Sequence, residues 1–199
     1  MADADKILVK KILNGDLKAF RALIEKNNGL VAHIVYRLIN NPTDQEEICQ
    51  EIFMRIYQNL PDFKFKAKLS TWIGRIAYNT TINHLRREKI PLFDDRQPNS
   101  VGTDGQMGES DSYKLIPDTR PAPDALLEKK DRGEMIEKML IQLPPPFRMI
   151  LTLFHLEQMS YQEISELMDL PEGTVKSYLY RARKKLKEVL DKELEGEEI

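Results

Sequence analysis

The stretch from Ser160 to Lys187, SYQEISELMDLPEGTVKSYLYRARKKLK, reads as two helices and the turn between them. Ser160 and Glu163 stand three apart, the spacing at which two side chains cap each other's backbone N–H groups at a helix start. Ile164, Leu167 and Met168 supply the apolar side of a short helix. Asp169-Leu170-Pro171-Glu172-Gly173 breaks it. From Thr174 to Lys187 there are six bases and no acid, a net charge of +6. Val175, Leu179, Ala182 and Leu186 recur there at i, i+4, i+7 and i+11, a stripe that packs on the first helix. Rotating off the stripe, Lys176, Tyr180 and Arg183 share one face, and Ser177, Arg181 and Lys184 the next. A short helix, a tight turn and a basic second helix suit the major groove of DNA. Cations on the flanks meet phosphates, and side chains near the helix N-terminus reach base edges. A solvated basic helix in a plain bundle would explain the charge run alone. It leaves the turn, the capping signals and the missing acids unexplained.

The charge changes sign directly after this helix. Residues 188–199 hold six acids and one base, a net of −5, which reads as a solubilising end. Over all 199 residues the net charge is only −2, with 31% charged and 41% apolar residues. That total describes no segment of the chain. A balanced sum hides separated blocks, and acid elsewhere offsets long-range attraction to DNA, so the free chain is expected to bind DNA weakly. The single cysteine, Cys49, excludes an internal disulfide framework and a multi-Cys zinc site. No apolar run has the length of a membrane span, and the acidic opening Met1-Ala2-Asp3-Ala4-Asp5-Lys6 does not read as a signal peptide. A cytoplasmic protein is expected.

Five of the eleven prolines fall between Pro91 and Pro123, among Gly102, Gly105, Gly108 and several serines. That segment has no sustained periodicity and a net charge of −3, and reads as a flexible linker. The chain is therefore divided into 1–90, a linker at 91–123, and 124–199. Both flanks are helical by pattern, so the expected fold is all-α: two small helical domains, the second a helix-turn-helix. Val31, Ile34, Val35, Leu38 and Ile39 line one helix face. Thr43 with Glu46 makes a capping-box signature before Ile48, Ile52, Ile56 and Leu60, and Pro61 ends that helix. Ser70 is the expected cap of a helix carrying Trp72, Ile73, Ile76, Ala77 and Leu85.

A second basic block lies in the first domain. Residues 64–89 hold seven bases and one acid, a net of +6, with Phe63, Phe65, Trp72 and Tyr78 interleaved. Duplex readers rarely need exposed aromatics, whereas single-strand binders stack unpaired bases on them. The loop from Phe63 to Leu69 is the stronger base-contact segment; Trp72 reads as a core residue. By contrast, Asp44 to Glu51 contains four acids and no base. Glu47 and Glu51 face together with Gln50 beside them, which reads as a protein-partner surface. The acids of the first turn also complement the helix dipole, a role that fits Glu51 less easily. His33, His84 and His155 are scattered and no Gly-rich phosphate loop is present, so no metal, cofactor or enzyme activity is expected.

In order along the chain, these segments resemble the bacterial RNA polymerase sigma factors of the extracytoplasmic-function class. The resemblance rests on Gly15-Asp16-Leu17-Lys18-Ala19-Phe20-Arg21-Ala22-Leu23, on Asp44 to Phe53, on Trp72-Ile73-Gly74-Arg75-Ile76-Ala77-Tyr78-Asn79, and on Ser160 to Ile164 with Gly173 to Ser177 and Arg181 to Arg183. It implies that Glu47, Gln50, Glu51 and Phe53 contact core RNA polymerase. It implies that Phe63, Lys64, Phe65, Lys66, Lys68, Arg75 and Asn79 capture melted non-template bases of the minus-ten element. It implies that Thr174, Lys176, Ser177, Tyr180, Arg181, Arg183 and Lys184 read or grip the minus-thirty-five duplex of promoter DNA. An anti-sigma factor is a further partner the family implies. The loop Lys64-Phe65-Lys66-Ala67-Lys68 departs from the family in being more basic, and the linker in being long and Gly-rich. The rival reading is a two-domain helix-turn-helix regulator acting without polymerase, which leaves the Glu47/Glu51 helix and the Phe63 loop without a role.

Overall fold

A computed structural model describes residues 2–87 and 138–196; the linker expected at 91–123 lies outside them. All regular elements among the described residues are helical. The N-terminal part comprises α1 (Ala2–Leu13), α2 (Leu17–Leu38), α3 (Pro42–Asn59), a 3-10 turn (Leu60–Asp62) and α4 (Leu69–Arg87). The C-terminal part comprises α5 (Pro145–Leu151), one π-helical turn (Thr152–Leu156), α6 (Tyr161–Met168) and α7 (Glu172–Gly196).

Local chemistry sets the boundaries. Asp16 caps α2, its Oδ1 accepting from the Lys18 and Ala19 N–H groups at 2.9 and 3.1 Å. Gly15 before it has φ +87°, a conformation that costs glycine nothing. The start of α3 corrects the sequence reading: Asn41, not Thr43, is the cap, accepting from the Thr43 N–H at 3.0 Å. Pro42 fills the first helical position, where its missing N–H has no intrahelical partner to lose. Ser70 likewise lies inside α4, which begins at Leu69. The Ser160–Glu163 box forms in both directions, at 3.2 Å and 2.9 Å. Asp169 ends α6 in the left-handed region at φ 56°. Helix α7 does not stop with its basic block but runs through the acidic residues to Gly196. Glu, Lys and Leu are all strong helix formers, and Lys185 pairs with Glu188 one turn on at 3.1 Å.

Leu23, Val31, Ile34 and Val35 of α2, Ile48, Ile52 and Ile56 of α3, and Ile73 and Ala77 of α4 are fully buried together. Val175, Leu179 and Ala182 of α7 are buried against the C-terminal helices, as their spacing requires. The two parts also pack on each other, α4 on α6 and α2 on α5. The tightest approach is at Gly74, where an added Cβ would fall 2.5 Å from Leu167 Cδ1. Polar ties surround it: Lys68 Nζ to Glu163 Oε1 at 2.7 Å, His33 Nδ1 to Glu157 Oε1 at 2.5 Å, and Arg37 Nε donating to Thr152 Oγ1 at 3.2 Å.

Candidate nucleic-acid interface

Helix α7 presents Lys176, Ser177, Tyr180, Arg181 and Lys184 to solvent, with Thr174 and Arg183 half-buried beside them. Tyr180 is 70% exposed, large for an aromatic on a packed helix. The helix is anchored beneath by its stripe and at its start by Thr174 and Val175, whose N–H groups donate to Pro171 O at 2.8 and 3.0 Å. Arg181 lies along its own helix, its guanidinium 5.1 Å from the Tyr178 ring centre and its Nε donating to Ser177 O at 3.4 Å.

The minus-ten set separates into three groups. Phe65 is 42% exposed and sits at φ 55°, a left-handed backbone that costs a bulky residue about 1–3 kcal/mol. Its ring rests on Phe63, 4.6 Å centre to centre, and Phe63 rests on Trp72 at 5.0 Å. Phe63 itself is only 7% exposed, which corrects its place in the base-contact set: it props Phe65 up from below. Arg75 and Asn79 are exposed on α4 and line an open cleft of about 330 Å³ with Trp72. Trp72 is thus half-buried at a cleft wall rather than wholly core. Lys64 and Lys66 are exposed on the loop, while Lys68 is turned toward the helix-turn-helix and paired with Glu163.

Sequence reasoning missed part of that cleft. Arg55 and Asn59 of α3, Asp62 of the 3-10 turn and Asn83 of α4 also line it. Positions 72, 75, 76, 79 and 83 share one helix face, a spacing that could have recruited Asn83; the α3 residues left no such signal. On α3, Glu47 and Gln50 are exposed and Phe53 is half-buried on the core. Glu51 is held by Arg55, Oε1 to Nη2 at 2.7 Å, so one arginine joins the acidic face to the cleft. Met54, 62% exposed beside this face, adds an apolar contact point the charge pattern did not show. Burial pushes the Cys49 thiol up, away from reactivity.

Glu163 serves the α6 cap and the tie to Lys68 at once. Burial alone would raise its carboxyl; the Lys68 ammonium and the Ser160 N–H and hydroxyl outweigh that and hold it below the usual 4.5. A depressed carboxyl stabilises the folded state above its unfolded value, and that contribution disappears as pH falls through the folded value. The expected result is a thermal midpoint that falls with acidification below about pH 4.5, with a shallower fall in Glu163→Gln. Identical profiles for the two proteins would contradict it.

Two family models match the chain: Sigma-70 region 2 over residues 23–90, and Sigma-70, region 4 over residues 133–186. The ECF RNA polymerase sigma factor SigW of Bacillus subtilis (strain 168) is 30% identical over 182 residues, 92% of this chain and 94% of that protein. The ECF RNA polymerase sigma-E factor of Escherichia coli (strain K12) is 32% identical over 179 residues, 90% of each. Among solved structures, CnrH in complex with the cytosolic domain of CnrY matches with a TM-score of 0.62 at 22% identity, over 94% of this chain and 97% of that one. The sigma factor RpoE in complex with the anti-sigma factor NepR from Bartonella quintana matches with a TM-score of 0.61 at 20% identity, over 88% and 98%. At those identities the two structures speak for the fold alone.

Proposed function

We infer the roles of individual residues from one premise: the chain belongs to the ECF RNA polymerase sigma factors, within the sigma-70 family. It directs core RNA polymerase to promoters and binds promoter DNA in transcription initiation. Residues 1–90 act as the region that binds polymerase and the minus-ten element, 91–123 as the connecting linker, and 124–199 as the minus-thirty-five reader. The supporting observation is two basic surfaces of different character, one per part. The first sets an exposed aromatic loop near a cleft offering Trp72, Arg75 and Asn79; the second is an exposed basic helix face.

The chemistry differs accordingly. Melted DNA exposes bases that stack on Phe65 and enter the cleft, where the Asn79 amide and Arg75 guanidinium hydrogen-bond base edges. Holding an unpaired base stabilises the opened state and shifts the equilibrium toward it. Helix α7 holds the upstream duplex, and linking two weak readers raises the effective concentration of each at the other's site. Glu47, Gln50 and Glu51, with Met54, face polymerase, while Phe53 supports them from the core. The chain acts by binding and orienting, without covalent chemistry of its own, where polymerase and promoter are, in the cytoplasm. Membership of the ECF class supports an anti-sigma factor as a further partner. A regulator working without polymerase has no use for the acidic α3 face.

Phe65 and Asn79 are exposed, so their replacement leaves the fold intact. In holoenzyme, Phe65→Ala is expected to weaken binding of a single-stranded non-template oligonucleotide by about 1–3 kcal/mol, and Asn79→Ala to change which base is preferred. Unaltered affinity and preference in both variants would remove this face from minus-ten recognition.

A further inference from the structure

Two aromatic rings outside every DNA-contact set stand between two cations inside one. Phe154 and Tyr161 stack at 5.3 Å with their planes 15° apart. Lys176 Nζ lies 5.6 Å from the Tyr161 ring centre, and Arg183 Cζ 5.3 Å from the Phe154 ring centre. The order is cation, ring, ring, cation. Lys176 and Arg183 are seven residues apart, two turns or about 10.5 Å along α7, and the ring pair bridges that interval. The π-helical turn Thr152–Leu156 makes this possible, since the Glu157 N–H closes onto Thr152 O at 3.1 Å, five residues back. The extra residue in that turn sets where Phe154 points, and such turns recur at functional sites. Tyr161, as the first residue of α6, is fixed by the Ser160–Glu163 box beside it.

We propose that Phe154 and Tyr161 are positioning residues for promoter recognition: the stacked rings hold Lys176 and Arg183 in place before DNA arrives. The proposal rests on the reading of α7 as the minus-thirty-five helix. A ring face attracts a cation through its quadrupole. Free lysine and arginine side chains lose substantial rotamer freedom when they dock, and cations already held on a ring lose less. The arrangement also divides the helix surface. Lys176 and Arg183 are drawn to the side facing α6 and the π turn, while Ser177, Tyr180 and Arg181 project from the remainder. The pinned pair grips a groove wall; the outer set meets base edges.

The test is a pair of double-mutant cycles on promoter affinity, measured with reconstituted holoenzyme on a duplex with an intact minus-thirty-five element. Tyr161→Leu and Phe154→Leu are each expected to weaken binding about 2- to 5-fold. Added to Lys176→Ala, Tyr161→Leu costs nothing further, and likewise Phe154→Leu added to Arg183→Ala. Losses that multiply would make the rings structural only and overturn the proposal. If Lys176→Ala and Arg183→Ala bind as the parent does, the reading of α7 falls and the proposal with it, which separates the two failures. Should the leucine variants unfold, Phe154→pentafluorophenylalanine keeps the ring's shape and removes its attraction for Arg183. It is expected to show the same loss at an unchanged thermal midpoint; undiminished binding would overturn the proposal.

Discussion

Leu167→Ala is expected to destabilise the protein by about 2–5 kcal/mol, the larger of two stability effects centred on one contact. Leu167 is fully buried, with Ile164 and Met168 on the same helix face. Its Cδ1 also seats on α4 at Gly74, where no Cβ stands in the way. Truncation therefore empties space inside the helix-turn-helix and between the two parts of the chain. Gly74→Ala acts in the opposite sense, forcing a methyl to within 2.5 Å of Leu167 Cδ1, and overpacking of this kind costs about 1–3 kcal/mol. Combined, the alanine methyl enters the space that the leucine vacates. The double variant is expected to be more stable than the two single losses predict, with a coupling of about 0.5–3 kcal/mol. Chemical denaturation of all four proteins measures this. Strict additivity would mean that α4 and α6 do not meet in solution.

Arg181→Ala is the substitution with the largest expected effect on promoter choice. Arg181 is solvent-exposed and lies along its own helix over Tyr178, so its loss costs the fold little, within about 0.5 kcal/mol. In the proposed docking its guanidinium would leave that ring for the groove, where a planar fork can match a guanine edge. The expected loss is about 1–3 kcal/mol on the cognate minus-thirty-five sequence and little on a scrambled one. Lys184→Ala gives the opposite signature: a similar loss on both sequences and a salt slope reduced by about one. Equal losses for Arg181→Ala on both duplexes would make it a phosphate contact and move base reading to Ser177 and Tyr180.

The helix-turn-helix was legible because its signals are local. A Ser and a Glu three apart, an apolar stripe and an acid-free basic run each act within a turn or two of helix. Helix starts misled where two local signals competed. Thr43 offered a capping box, but Asn41 with Pro42 behind it caps two residues earlier. Charge changes where the acidic end begins, yet helix propensity does not, and α7 continues. What no local pattern carries is proximity across the chain. Gly74 and Leu167, or Lys68 and Glu163, look unrelated until α4 and α6 pack. The Phe154–Tyr161 stack was hidden for the same reason: its two rings sit on separate elements, the π turn and the start of α6. Phe63 shows the reverse limit, since a loop position beside exposed bases gave no hint that its own ring is covered.

The balanced net charge of −2 sets up the most direct test of the central claim, that two separate surfaces read a promoter only in company with polymerase. The measurement is selection from a randomised duplex library, performed with the purified chain, with core polymerase, and with the two together. Two elements at fixed spacing are expected to be enriched in the combined sample alone, with Arg181→Ala erasing the upstream element and Asn79→Ala changing the base preferred in the downstream one. Enrichment of a duplex motif by the purified chain without polymerase would contradict that claim.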